Sequence, residues 1–206
     1  MIQLTLLPFA SCLGAWAYWL SRDEPTGVFV GYLLALPVIY SVCVVSLAQR
    51  FGLWKWSRPL GRAVFVNTGL AQLVFLITAA WVERETSVAS FLLAGGIGAI
   101  SYAAIGTLYD VVGLDRGYYV VYNRAHLKKQ GPIASALSYG FAYFGALGFG
   151  YGALAKLGHV ALVERTPPEP FLAAAGVGAL LLPFLTWIFV MRASRRNVKR
   201  ASSKAG

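Results

Sequence analysis

The residues whose types and spacing suit chemistry lie in one stretch, Tyr109-Asp110-Val-Val-Gly-Leu-Asp115-Arg116, continuing through Tyr118 and Tyr119 to Tyr122-Asn123-Arg124. A carboxylate where an apolar segment meets the membrane interface is costly unless paired, so Asp110 demands a reason. If the chain is an enzyme, Asp110 and Asp115 are the catalytic pair, handling a proton or a cation. Arg116 and Arg124 would then hold an anionic head group or a diphosphate. The competing reading pairs Asp110 with a nearby arginine and ends the helix at Gly113. Tyr109, Asn67 and Gln72 complete the candidate substrate-binding set. Asn67 lies about 6 Å above the inner boundary by helical rise, at the depth of Asp110 if the two helices are neighbours. Intramembrane amides also serve as glue between helices.

Other chemistries lack their residues. The two histidines, His126 and His159, are too few and too far apart for a bis-histidine haem, and His126 reads as a head-group contact. No HExxH, CxxC, phosphate-cradling or nucleophile-elbow motif occurs. No metal site and no cofactor is expected. Cys12 and Cys43 fall at different depths of apolar segments, so they read as packing residues rather than a disulfide.

The elements that must position these residues are membrane spans. Of 206 residues, 58% are hydrophobic and only 13% charged, and the mean hydropathy is +0.63. A soluble domain carries about 25% charged residues. Apolar stretches run over 1–20, 28–48, 63–81, 88–109, 132–155 and 171–191, each near the roughly 20 residues a span needs. The expectation is an all-α, polytopic integral membrane bundle of six transmembrane helices over 1–191, with a disordered basic tail over 192–206. The first stretch lacks a basic n-region and reads as a retained span rather than a signal peptide.

Charge placement sets the orientation. Fourteen of the eighteen Lys and Arg residues lie after span two, after span four or in the tail. Both termini are therefore expected in the cytoplasm, in a bacterial-type inner membrane. Lys156 and Arg165 count with the outer connections, as do all acids except Asp110 and Asp115. The formal charge of +10 follows from this placement and does not point to nucleic acid. Trp54 and Trp56 are expected among lipid head groups. Pro37 and Pro183 should kink spans two and six. The outer loops Val82–Thr86 and Val163–Thr166 resemble each other weakly, as an internal repeat would.

Small residues mark the expected bundle centre. Span four carries Gly95, Gly96 and Gly98. Span five carries Ser138, Ala142, Ala146 and Gly150 at intervals of four, and Gly148-x-x-x-Gly152. Tyr139 and Tyr143 put hydroxyls inside the fifth span, where pairing with neighbouring helices is favoured over a pigment or quinone pocket. Three functions remain open. The first is a permease-type or substrate-binding membrane component for a small or lipid-like solute. The second is an enzyme acting on a lipid or isoprenoid at the cytoplasmic leaflet. The third is a non-catalytic subunit or assembly factor contacting other membrane subunits through spans four and five. The bilayer is the common partner.

Overall fold

A computed structural model describes residues 3–20, 54–57, 60–81 and 87–164, with isolated positions between 38 and 50 and between 181 and 188. The chain is predominantly helical. Helices α1 (Gln3–Leu20), α2 (Leu60–Trp81), α3 (Val88–Asp115) and α6 (Gly140–Glu164) are long; α4 (Arg124–Leu127) and α5 (Gly131–Leu137) are short. Strands β1 (Trp54–Trp56) and β2 (Tyr119–Val121) pair antiparallel, Trp54 opposite Val121 and Trp56 opposite Tyr119. Spans two and six, with Pro37 and Pro183, the outer loops and the tail fall outside the described residues.

Helix α3 packs most extensively on α6, α1 packs on α2, and α2 touches both α3 and α6. On α3, Ser90, Ala94, Gly98, Tyr102 and Gly106 are buried, one every fourth residue. The opposite side presents large apolar residues: Val88, Ile100 and Leu108 are 78%, 75% and 61% exposed. The interior meanwhile encloses Gln72, Thr78, Thr107 and Lys156. Large apolar residues thus line the outward side of α3, while a few polar groups are enclosed within a mainly apolar core. Among the described residues α3 is long and apolar enough to cross a membrane, and α5 with α6 as far as Leu157 qualifies as one broken span bent by 45°. Leu6–Ala15 and Val64–Thr78 are shorter apolar helical segments.

Four expectations are corrected. The α3–α6 contact does use Gly98, but against Gly148 and Gly152 rather than the Ser138/Ala142/Ala146/Gly150 stripe. A Cβ on Gly98 would fall 2.3 Å from the Gly148 carbonyl oxygen, and one on Gly152 would fall 2.2 Å from that of Ala94. Backbone meets backbone there, while Ser138 and Ala142 are exposed. The α5–α6 bend at Ser138–Tyr139 takes Ser138 out of the helical register that the stripe assumed. Second, α3 does not end at Gly113. It runs to Asp115 and closes in a Schellman motif, with Tyr118 N–H donating to Gly113 O (2.9 Å) and Gly117 N–H to Leu114 O (3.1 Å). Gly117, at φ +64°, makes the left-handed step that such an ending needs. Third, Trp54 is not an exposed interfacial anchor. It is 7% exposed and joins the core. Fourth, Lys156 does not belong to an outer connection; it lies within α6, fully enclosed.

Candidate functional site

Asp110 sits one turn before the end of α3, partly buried, where three non-helical features converge. Tyr119 is on β2, which the Schellman turn throws back along α3. Its ring lies over Gly113, where a Cβ would fall 2.6 Å from Tyr119 Cε1. This close approach, not helix breaking, explains the glycine. Tyr139 sits in the break between α5 and α6, and the bend lets Gly140 approach Thr107, where a Cβ would fall 2.6 Å from Thr107 Oγ1. The Tyr119 phenol donates to Asp110 Oδ1, and the Tyr139 phenol donates to Oδ2. Trp54 closes the cluster, its ring centroid 6.4 Å from that of Tyr119 and 6.3 Å from that of Tyr139. Strand β1 is held in place by Ser57, whose N–H donates to Tyr118 O (3.0 Å). Its hydroxyl lies 2.6 Å from the carbonyl oxygens of both Gly117 and Tyr118.

Electrostatics favour this arrangement. Burial, with the neighbouring Asp110 carboxylate adding to it, holds the Tyr119 phenol well above its ordinary range. Tyr119 therefore stays a protonated donor. With both oxygens accepting from phenols, Asp110 has donors without an arginine, and none pairs with it among the described residues. The carboxylate is held in one orientation, and β2 and α6 are tied to α3 through it.

The remaining predicted residues are placed apart. Asp115, Arg116 and Arg124 are exposed. Five residues separate Asp115 from Asp110, so a helix at 100° per residue turns them to different faces. Tyr109 is half-buried and packs against the core cluster. Asn67 does not meet Asp110. Its Oδ1 accepts from the Tyr102 phenol, two turns further up α3. Gln72 is 1% exposed, inside the bundle.

Above Asp110, polar groups continue through the interior between α2, α3 and α6. Tyr102 stacks on Tyr151, with centroids 5.9 Å apart and planes at 25°, and Tyr151 packs 5.5 Å from Phe75. Tyr143, Gln72 and Lys156 are likewise buried, Tyr143 within the same core cluster. The hydroxyls of Tyr151, Thr68 and Thr107 are buried and make no hydrogen bond among the described residues. Buried polar groups are nearly always hydrogen-bonded, so these three mark an unusual interior. No group of three or more His, Cys, Asp or Glu converges to hold a metal among the described residues.

Sequence reasoning missed Tyr119 and Trp54 as partners of Asp110. The available signal was the need of a membrane-edge carboxylate for donors, with Tyr118, Tyr119 and Tyr122 close by in the chain. Asn123 was also missed. Its side chain caps α4 by accepting from His126 N–H (2.9 Å) and donates to Ser135 O and Ser138 Oγ (both 2.9 Å). An Asn preceding a short helix is a capping signal that can be read without a structure.

No protein-family model, curated protein or solved structure shows significant similarity to this chain.

Proposed function

We propose that the chain is a small multi-pass membrane protein of six spans with both termini in the cytoplasm, in a bacterial-type inner membrane. Its role is that of a permease-type or solute-binding membrane component, with the polar interior between α2, α3 and α6 receiving a small or lipid-like solute. The observation that carries this reading is the Tyr151 hydroxyl, enclosed between three helices and without a hydrogen-bond partner among the described residues. Inside a bilayer such a group is expensive, and polar groups retained there commonly mark a solute or ion path. Its ring packs against Tyr102 and Phe75, and Gln72 and Lys156 are further buried polar side chains on α2 and α6.

The lipid- or isoprenoid-processing enzyme receives less support, because Asp115 and Arg116 diverge from Asp110 and leave it no partner in acid–base work. A non-catalytic subunit is favoured by one observation: both Asp110 oxygens are occupied by tyrosines, as in a structural clamp.

Tyr151→Phe separates these readings. Removing an unpartnered hydroxyl leaves folding intact, so the variant should match the wild type in thermal stability. Small molecules that co-purify with the full chain in mild detergent are then compared by mass spectrometry. Under the solute-binding reading, the wild type retains a small molecule that Tyr151→Phe loses. Identical small-molecule content in both proteins would overturn that reading and leave the subunit in its place.

A further inference from the structure

A second feature lies on the basic face, away from the polar interior. Between the end of α3 and the start of α5 is an open cleft of about 320 Å³, lined by Leu114, Val120 and Pro132 with His126, Lys129 and Ser135. His126 and Lys129 are exposed, as are Arg116, Arg124 and Lys128 around it, with Asp115 the exposed acid in the same segment. Lys129 is held at φ +55°, the described non-glycine residue in the left-handed region. A lysine there is strained, and strain of this kind is kept where the surrounding structure over-determines it. The surroundings do so. Lys129 N–H donates to His126 O (2.9 Å), Gln130 N–H donates to Ala125 O (3.0 Å), and Asn123 bonds α4 to α5 from within.

From this cleft an apolar track leads into the span. Ile133 and Leu137, one turn apart on α5, are 60% and 47% exposed, and Phe141, just beyond the break at the start of α6, is 56% exposed. A lysine with a fixed backbone, beside an imidazole and above exposed apolar residues, complements an amphiphile that carries negative charge at its head. A free anion would use the cations and leave the track unexplained.

We propose that this cleft binds an anionic glycerophospholipid of the leaflet on the basic side, its phosphate between His126 and Lys129 and an acyl chain along Ile133, Leu137 and Phe141. The inference needs the chain to lie in a bilayer and does not depend on the solute-binding role. Loss of a small solute from Tyr151→Phe and loss of lipid from the cleft are independent readouts.

The test uses the full chain in mild detergent, titrated with phosphatidylglycerol or phosphatidylcholine in mixed micelles, with bound lipid counted by native mass spectrometry. Lys129→Asn removes the charge with a residue that tolerates left-handed backbone. Lys128→Gln removes an equal charge outside the cleft. We expect phosphatidylglycerol to be retained in preference to phosphatidylcholine. Lys129→Asn should weaken that retention about fivefold, the effect of one cation near an anionic surface, and Lys128→Gln should weaken it less than about twofold. Phe141→Ala should weaken both lipids without changing the preference. If Lys129→Asn fails to fold, Lys129→Gly, which removes the same charge and accepts left-handed backbone, carries the same comparison. Equal retention of the two lipids, equal losses in the Lys128 and Lys129 variants, or displacement of the lipid by inorganic phosphate would each overturn the proposal.

Discussion

Replacing Asp110 with Asn tests whether the tyrosine clamp holds the basic end of the bundle together. The side chain keeps its shape but loses its charge, and one acceptor oxygen becomes an amide donor. One phenol keeps an acceptor, now neutral, while the other faces N–H groups and must turn its own proton elsewhere in a buried site. A hydrogen bond to a charged group contributes about 1.5–3 kcal/mol and a neutral one about 0.5–1.5 kcal/mol. The variant exchanges two of the first kind for one of the second and leaves one phenol poorly paired. Asp110 keeps some exposure, which lets water recover part of the loss, so the lower end applies: about 1.5–2 kcal/mol. In a chain of this length each kcal/mol moves the unfolding midpoint by roughly 2–4 °C. Thermal unfolding in detergent should therefore show a drop of about 3–8 °C for Asp110→Asn. Asp110→Ala, which leaves both phenols unpaired, should cost more, about 2–6 kcal/mol.

The tyrosines give an independent check. Tyr119→Phe and Tyr139→Phe each remove one donor, and the double variant should cost more than the two single losses combined, because the first leaves the carboxylate dependent on the second. An unchanged midpoint in Asp110→Asn, with both Phe variants also unchanged, would refute the clamp. An Asp110→Asn protein that folds normally and loses solute binding would move Asp110 from a structural to a functional role.

Gly148→Ala should destabilise by about 1–3 kcal/mol in the same assay, because the new methyl meets the Gly98 backbone and cannot be accommodated by a rotamer change. Gly96→Ala, where a Cβ meets nothing within 4 Å, should be neutral or gain about 0.5–1 kcal/mol; equal losses in the two would remove the close α3–α6 contact from the account. Asn123→Ala should cost about 1–2 kcal/mol by uncapping α4, and limited proteolysis should then open the 123–138 segment first. For topology, a cysteine placed at Glu85 should react with an impermeant reagent outside intact cells while one at Asn197 stays protected, and the reverse pattern would invert the orientation.

Most of what the sequence made legible rests on one-dimensional properties. Apolar length located α1, α2, α3 and the α5–α6 region, because a helix in lipid must satisfy its own backbone and so needs a long apolar run. Pairwise geometry was less legible. Asp110 and Asp115 look like a pair on the page, but helical rotation parts them. Asn67 has the depth of Asp110 only if neighbouring helices share a register, and the packing of α2 on α3 gives Tyr102 to Asn67 instead. The β1–β2 pairing joins residues more than sixty positions apart, and three-residue strands leave almost no alternation to detect. Trp54 carries the composition of a head-group anchor. Only the packing of Tyr119 and Tyr139 shows that its ring is used inside.

The departures from straight helix on the basic face share a cause. Within α3 the backbone N–H groups are committed to carbonyls four residues earlier, so the helix offers no lateral donor to a carboxylate on its own side. The polar side chains described on α2 and α6 are not the ones that bond it; its partners are Tyr119 and Tyr139. Donors for Asp110 come from side chains on elements that leave the helical path near it. That is where the Schellman turn returns Tyr119 and the 45° break delivers Tyr139. The same two departures leave the segment from Asn123 to Ser135 folded against the end of α3, forming the cleft beside Lys129. One polar side chain near the end of α3 thus ties together the elements of the short sheet, the α5–α6 break and the adjoining basic cleft. It also couples their fates: the Asp110 and tyrosine variants should loosen the cleft as well as the clamp, whereas Lys129→Asn should empty the cleft and leave the clamp intact.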